Sequence, residues 1–189
     1  MPSAIKPQFK QLKIHFFMGE HLPKMDRGSL IAEGKMDAYF VTDINGKKVK
    51  TSVVTTVRDR ADWNESLLIP LRVPLVTSNL ILKLFDEDAS GDEICGSLIL
   101  NYKELLERPS GDIFWLNVFG PPGGDEQNML AAVTAGIGGR SDEYNEMCHN
   151  PRIATSWKCR VLVGIEYEMS EQPRLSCEKI EDEALLKRA

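Results

Sequence analysis

Two groups of acidic side chains in this 189-residue chain have the residue types and the positions that could bind a metal ion. Asp26 and Asp37 follow the first apolar segment. A second group stands between two later apolar segments and consists of Asp86, Asp88, Asp92 and Glu93. Carboxylates within about 5 Å of one another repel unless a proton or a cation neutralises them. Calcium prefers such hard oxygen ligands, and neither group contains a thiolate or an imidazole that would favour zinc.

Acidic loops also have a simpler explanation, because charged side chains keep a protein surface soluble. The spacing of Asp86 and Asp88 argues against it, since residues two apart at the end of an extended segment point the same way. Two more carboxylates from another loop would complete a cluster around one cation. The sequence therefore predicts a calcium site, provided that the two loops meet in space.

Period-two alternation of apolar and polar residues predicts the strands that position these loops. Leu12, Ile14 and Phe16 alternate in a first strand, and similar runs predict seven more. The dipeptide Asn45-Gly46 favours the positive backbone angles of a tight hairpin between strands two and three. The predicted fold is therefore all-β, an eight-stranded antiparallel β-sandwich in which the loops after strands one and five can meet at one end.

The predicted domain organisation follows from where the alternation stops. Residues 1–169 are predicted to form one domain, with a long insertion at about residues 120–156 ahead of the last strand. Residues 170–189 are polar and are predicted to be a tail or a linker. Each of the three tryptophans falls on or beside a strand, which predicts core packing for Trp63, Trp115 and Trp157.

Composition and missing motifs exclude several classes of function. The formal net charge of −5 argues against broad attraction to nucleic acid. No apolar run approaches the roughly 20 residues that span a bilayer. The four cysteines have no regular spacing, which indicates reduced cytosolic thiols rather than disulfides or a zinc site. Without a nucleophile elbow, a His-Glu-x-x-His motif or a kinase signature, the chain is not expected to be an enzyme.

Several short segments carry a family resemblance through their order and spacing. They are Leu-Pro-Lys-Met-Asp at 22–26, Met-Asp-Ala-Tyr-Phe at 36–40, Thr-Ser-Val-Val at 51–54, Trp-Asn-Glu at 63–65, Phe-Asp-Glu-Asp at 85–88 and Asp-Glu-Ile-Cys-Gly at 92–96. Together they resemble a C2 domain. The first segment, and the run Trp-Leu-Asn-Val-Phe-Gly at 115–120 ahead of a long insertion, are similar to the C2 domains of ferlins. The resemblance covers roughly residues 9–169.

This resemblance implies a calcium-dependent phospholipid-binding module of a ferlin-like protein that acts in vesicle trafficking, exocytosis and membrane fusion. Carried over motif by motif, the calcium ligands would be Asp26, Asp37, Asp86 and Asp88. The fifth ligand falls on Glu93, where the family normally has aspartate, and Asp92 is its neighbour and competitor.

Two lipid contacts are also expected. Leu30 and Ile31, in the middle of the first loop, would insert into the membrane interface, or else pack beneath their own loop. Lys47, Lys48 and Lys50, beside the hairpin turn, would form a basic phosphoinositide patch. Alternation places Lys48 and Lys50 on one face and Lys47 on the other, which is also typical of a solvated hairpin.

The expected partner is an anionic phospholipid membrane, with other proteins or neighbouring C2 domains as further partners. The expected location is cytoplasmic and peripheral on membranes, as one domain of a longer, tail-anchored parent protein. The main alternative is a calcium-independent C2 scaffold for contacts with proteins or other domains. A third interpretation is a regulatory part of a lipid-modifying enzyme or a kinase.

Overall fold

The computed structural model describes residues 8–23, 35–89, 91–121, 146, 147 and 149–189. Its strands are β1 (Gln8–Glu20), β2 (Asp37–Ile44), β3 (Lys47–Lys50), β4 (Val54–Thr55), β5 (Ala61–Val73), β6 (Asn79–Asp86), β7 (Glu93–Asn101), β8 (Asp112–Gly120), β9 (Ser156–Met169) and β10 (Ser176–Lys179). The helical segments are α1 (Tyr102–Glu107), a 3₁₀ turn at Pro151–Ile153 and α2 (Glu183–Leu186). The predicted third strand is divided into β3 and β4, and β10 is additional.

Antiparallel pairing joins the strands in the order β10-β5-β1-β9-β8-β7-β6-β2-β3, with β4 beside β2. Ser97 opposite Phe119 is the one residue pair that joins the fully described strands β7 and β8, and here the sheet turns from one layer to the next. Aromatic side chains from the two layers meet in the core: the ring centroids of Phe16 and Phe40 lie 4.9 Å apart. The predicted antiparallel β-sandwich is therefore confirmed.

The three tryptophans occupy different environments. Trp63 is 2% exposed, and its indole N–H donates to the Ala38 carbonyl at 3.1 Å, so its predicted core position is confirmed. The same prediction is wrong for Trp115 and Trp157, which are 38% and 49% exposed. Successive strand residues point to opposite faces, and Val118, three positions after Trp115, is fully buried on the core side of β8.

The residues that follow position 170 fold back onto the domain. Ser176 of β10 pairs with Leu68 of β5. Leu185 of α2 packs on Phe17 and Leu162, which lie on the outer face of the sheet. Where the sequence predicts a polar tail or a linker, the structure therefore has an edge strand and a helical turn. The reason is that the paired strands β1 and β9 carry apolar side chains on their outer face, and the tail covers them.

Glu65 links this C-terminal segment to the sheet. Its side chain is 5% exposed and its Oε1 lies 2.6 Å from the ammonium nitrogen of Lys179. Both the backbone N–H and the hydroxyl of Ser52 donate to the same carboxylate, at 2.6 and 2.5 Å. Burial raises the pKa of Glu65, but the hydrogen bonds from Lys179 and Ser52 outweigh it and hold the pKa below its usual value.

His15 lies beneath the C-terminal segment. The residue is 5% exposed, its Nδ1 is 2.7 Å from Ser66 Oγ, and its Nε2 is 3.6 Å from a Glu166 carboxylate oxygen. Burial lowers the pKa of His15, assisted by Lys13 and opposed by Glu166 and Asp182. The folded structure therefore favours the neutral form of the imidazole.

Acidification is expected to destabilise the domain through His15. Because its folded-state pKa lies below the ordinary value of 6.5, the unfolded chain binds the proton more readily. The stabilisation is complete above that value and is lost as the pH falls toward the folded-state pKa. Denaturant unfolding between about pH 8 and pH 5 measures this loss. His15→Gln should reduce it, and Glu166→Gln should enlarge it. Identical pH dependence in wild type and His15→Gln would contradict the assignment.

Candidate functional site

Three strand ends bring acidic residues to one end of the same layer. β2 begins at Asp37, β6 ends at Asp86 and β7 begins at Glu93. In the sheet, Asp86 lies opposite Ala38 on one side and Glu93 on the other. The loop that ends at β2 and the loop between β6 and β7 therefore meet at this end of the sandwich.

Asp86 is the buried member of this group, with 1% of its surface exposed. Its Oδ1 accepts a hydrogen bond from the Asp37 backbone N–H at 2.7 Å. The Glu87 N–H in turn donates to the Asp37 carbonyl at 2.9 Å, and the Thr55 hydroxyl donates to Asp37 Oδ1 at 2.5 Å. Side chain and backbone together hold the carboxylate-bearing residues of two loops beside each other.

The loop between β6 and β7 is also braced from the neighbouring strands. The Tyr39 hydroxyl donates to Asp92 Oδ2 at 2.5 Å, and burial together with this carboxylate raises the pKa of Tyr39. The Tyr39 ring stacks on Phe85, with the ring centroids 5.6 Å apart. Lys50 Nζ lies 4.6 Å from the Tyr39 centroid and 3.6 Å from a Glu87 carboxylate oxygen. Asp92 is therefore directed toward β2.

The remaining candidate residues are distributed as follows. Asp88, two residues after Asp86, and Glu93, opposite Asp86 in the sheet, are half-buried. Asp26, Leu30 and Ile31 lie outside the described residues. Within the part of the chain that the structure describes, no group of three or more His, Cys, Asp or Glu side chains is arranged to hold a metal ion. Of the candidate ligands, the structure brings Asp37 and Asp86 together through a direct hydrogen bond.

The side-chain chemistry of Asp37 and Asp86 fits calcium. Asp37 and Asp86 present carboxylate oxygens, which are the ligands of a hard cation that takes six to eight oxygens. The nearby thiol of Cys95 does not add a soft ligand, because burial and the charge of Asp86 raise its pKa well above the usual range. A protonated thiol is a poor metal ligand. The donor set at this end therefore consists of oxygen atoms.

The basic hairpin presents a second surface. Lys48 lies opposite Asp43 and Lys50 opposite Val41, so Lys48 and Lys50 share a face. Lys48 lines a cavity of about 240 Å³ together with Asp43, Lys83 and His149. Lys50 instead contacts Tyr39 and Glu87, and Lys47 is exposed beside the turn.

Lys83 and His149 are cavity residues that the sequence analysis missed. Lys83 comes from β6, where it alternates with Ile81 and Phe85, and all three side chains line the cavity. That alternation was a usable signal for Lys83, since it sets the three residues on one face. His149 reaches the cavity from just before the 3₁₀ turn, and no local pattern predicts that contact.

In the described residues, no helix has the length and the apolar composition that crossing a membrane would require.

Comparison with known proteins supports the fold. No curated protein sequence matches the chain. A structure of two C2 domains of extended synaptotagmin 2 superposes with a TM-score of 0.58 at 17% identity, over 89% of this chain and 46% of that one. Its calcium-bound form gives 0.55 at 19% identity, over 87% and 47%. A C2 domain of a plant extended synaptotagmin 1 gives 0.55 at 14%, over 88% and 99%. The chain thus spans a little under half of the extended synaptotagmin 2 structures.

At these identities the similarity is one of fold. The family model of the C2 domain adds a match in sequence, which runs over residues 10–118 and so covers more than half of the chain. The matched range includes the strand ends at Asp37, Asp86 and Glu93. Sandwich topology, acidic strand ends and family match agree, and the chain belongs to the C2 domain family.

Proposed function

We propose that this C2 domain is a calcium-dependent phospholipid-binding module of a ferlin-like protein that acts in vesicle trafficking, exocytosis and membrane fusion. The observation that carries the proposal is the contact between the two acidic loops, in which buried Asp86 accepts the Asp37 backbone N–H. Asp26, Asp88 and Glu93 are proposed to complete the ligand set, with Asp92 able to replace Glu93 if it leaves Tyr39.

In this proposal, the acidic end of the domain repels the membrane until calcium binds. Its carboxylates, on a chain of net charge −5, repel anionic headgroups. Calcium would supply the positive charge that cancels this field, together with coordination positions for headgroup oxygens. Asp86 needs little reorientation, because β6 and the Asp37 N–H already hold it. Once the field is cancelled, Leu30 and Ile31 insert into the interface.

The basic hairpin adds a second lipid contact. Lys48 and Lys50 face the same side, and each lysine near an anionic surface contributes on the order of 1 kcal/mol. Lys47, on the opposite side of the hairpin, would act through long-range attraction. Lys50 also lies 3.6 Å from a Glu87 carboxylate oxygen of the loop between β6 and β7, so it would have to leave this ion pair to reach a headgroup.

The wider context of the domain is part of the same proposal. We place the boundaries of the C2 unit at residues 1–169, with β10 and α2 folding back onto it from the segment that follows. The proposed insertion at about 120–156 lies mostly outside the described residues. The module would be non-catalytic and would sit peripherally on cytoplasmic membrane faces, within a tail-anchored parent protein. The calcium-bound structure of extended synaptotagmin 2 domains with the same fold supports the choice of cation.

Calcium is expected to raise the melting temperature of the domain. At a free concentration of about 100 times its dissociation constant, a ligand stabilises the folded state by about 2.7 kcal/mol. For a chain of this size, that is a rise of several degrees. Calorimetry in excess calcium and in chelator measures the difference, with magnesium as the control ion. Equal melting temperatures at millimolar calcium would refute calcium dependence.

The alternative function is a calcium-independent scaffold for protein or interdomain contacts. It is favoured by the bracing of the loop between β6 and β7 through Tyr39 with Asp92 and through Lys50 with Glu87, since these contacts need no cation. Vesicle pelleting separates the two functions. The scaffold should remain in the supernatant with calcium and with chelator, whereas the membrane module should pellet with calcium.

A further inference from the structure

Two tryptophans stand on the outer face of the sheet, outside the acidic loops and the basic hairpin. Trp115 of β8 is 38% exposed and Trp157 of β9 is 49% exposed. The Arg160 guanidinium lies 4.3 Å from the centroid of the Trp115 ring. The Trp157 indole N–H donates to Asn117 Oδ1 at 3.0 Å. We refer to this surface, formed by Trp115, Trp157 and Arg160, as the tryptophan face.

The exposure of the tryptophan face is a property of the folded sheet. On the inner side of the same two strands, Val118 and Cys159 already fill the core and are almost inaccessible. On the outer side, the C-terminal segment covers Phe17 and Leu162 with Leu185. Trp115 and Trp157 remain exposed beyond this cover. Two large apolar rings are therefore left in contact with water.

The tryptophan face adjoins the loops that are proposed to meet the membrane. His21, the first residue after β1, packs its ring 5.8 Å from that of Trp157. Pairing of Ser97 with Phe119 brings the start of β7 to the same end, and with it the loop that follows Asp86. A bilayer that reaches the two acidic loops would thus come close to both indole rings.

Arginine side chains pair with two of the carboxylates near the tryptophan face. Glu20 lies 2.6 Å from Arg160 and Asp62 lies 2.6 Å from Arg60, while Asp59 lies 3.3 Å from the His21 imidazole. Although the chain as a whole carries a net charge of −5, this region has little excess negative charge to repel an anionic surface.

We propose that the tryptophan face is a second membrane-contact surface, which places the rings of Trp115 and Trp157 in the headgroup region of an anionic phospholipid bilayer. This inference rests on the proposed function, because the acidic loops bring the bilayer to this end of the domain. Tryptophan favours the membrane interface, where its ring meets apolar chains and its N–H meets a polar group. Because the Trp157 N–H already donates to Asn117, the apolar ring is the part of Trp157 that lipid would cover.

Arg160 gives the tryptophan face its complementarity to phospholipid. Nε and Nη2 of Arg160 already donate to Glu20, at 3.0 and 2.6 Å. A guanidinium has five N–H donors, so a phosphate oxygen would be bound through the others, in a geometry that an ammonium cannot match. Stacking on Trp115 holds this guanidinium at the level of the rings. Lipid headgroups supply phosphate beside apolar chains, and this is the combination that Arg160 and the two tryptophans present.

Tryptophan emission tests the inference with the full chain. Vesicles of phosphatidylcholine and phosphatidylserine are prepared with and without bromine on the acyl chains, and calcium is present. Bromine quenches tryptophans that contact the lipid, so bound wild-type protein should lose emission, while buried Trp63 should retain its own. Trp115→Ala with Trp157→Ala should abolish this quenching and weaken vesicle binding about ten-fold.

Two matched variants separate the tryptophan face from general effects. Val76→Ala with Met169→Ala removes two apolar side chains that are 80% and 59% exposed at the opposite end of the domain, and should behave as wild type. Trp115→Phe with Trp157→Phe keeps apolar rings, and should retain most of the vesicle affinity while losing the quenching. This second pair remains informative if the alanine variant folds poorly.

The outcomes distinguish this inference from the proposed function. Pelleting with vesicles in calcium, without quenching by brominated lipid, would overturn the tryptophan face and leave calcium-dependent binding standing. Failure to pellet in calcium would overturn the proposed function and this inference together. A wild-type dimer in ultracentrifugation that the alanine variant does not form, with unquenched emission, would assign the surface to a second copy of the chain and refute the lipid contact.

Discussion

Replacing Asp86 and Asp88 together by asparagine is expected to abolish the rise in melting temperature that calcium produces. Asparagine keeps an oxygen that can accept the Asp37 N–H, so the strand ends should remain paired. What disappears is two negative charges, and with them the stabilisation of about 2.7 kcal/mol expected near saturation. Thermal unfolding of the variant in calcium and in chelator measures the loss.

The matched control for this variant is Glu104→Gln with Glu107→Gln. Both residues are exposed on α1, which follows the far end of β7, and the double change removes the same charge. It should leave the calcium response intact. A full calcium response in Asp86→Asn with Asp88→Asn would mean that the ligands lie elsewhere in the chain. A response lost in both variants would point to net charge rather than to a site.

Replacing Glu65 by alanine is expected to destabilise the domain by about 3 kcal/mol, because it breaks buried charge-assisted hydrogen bonds and leaves a void. Glu65 joins β5 to Ser52 and to Lys179 of β10, so its loss should also free the C-terminal segment. Chemical denaturation measures the free energy of unfolding, and hydrogen exchange at the amides of Ser176–Lys179 measures detachment of that strand.

Variants of Lys179, the cation that pairs with Glu65, test whether burial of the ion pair causes the effect. Lys179→Met alone leaves the Glu65 carboxylate buried without its cation and should cost about 2 kcal/mol, whereas Glu65→Gln with Lys179→Met should cost less than that single change. Lys187→Met, in an exposed pair with Glu183, is the control and should cost under about 0.5 kcal/mol. Equal effects of Lys179→Met and Lys187→Met would show that burial of Glu65 does not matter.

Acid should weaken the Glu65 contact in its own pH range. The folded-state pKa of Glu65 lies below its ordinary value of 4.5, so the carboxylate is ionised more readily in the folded chain. Its stabilisation is present above that value and is lost as the pH falls through the folded-state pKa. This loss begins at a lower pH than the loss that His15 governs, because the ordinary pKa is 4.5 for Glu65 and 6.5 for His15.

Local chemistry was enough to predict several elements. Period-two alternation predicted the strands of the sandwich, because an antiparallel strand with one buried face must alternate. The Asn45-Gly46 turn was also predictable: the two residues have φ of 54° and 77°, and they join β2 to β3. The family relationship was visible in short motifs, of which the family match covers those between residues 10 and 118. The ferlin resemblance stays a proposal.

The face of each strand that forms the core was decided by tertiary structure. Alternation divides a strand into two faces but does not say which of them is covered when both carry large apolar residues. In β8 the even-numbered Val118 faces the opposite layer, and Trp115 is left outside. In β1 the outward residue His15 becomes buried, because a segment more than 150 residues later lies against it.

The acidic site also depends partly on the sequence and partly on the tertiary structure. The residue types, and the spacing of Asp86 and Asp88, are properties of the sequence, and they indicate hard oxygen ligands for calcium. The meeting of Asp37 with Asp86, and the turning of Asp92 to Tyr39, depend on β2 lying beside β6. Pairing between strands that are more than 30 residues apart in the chain creates these contacts, and a local pattern of side chains carries no information about which distant strand will become the neighbour.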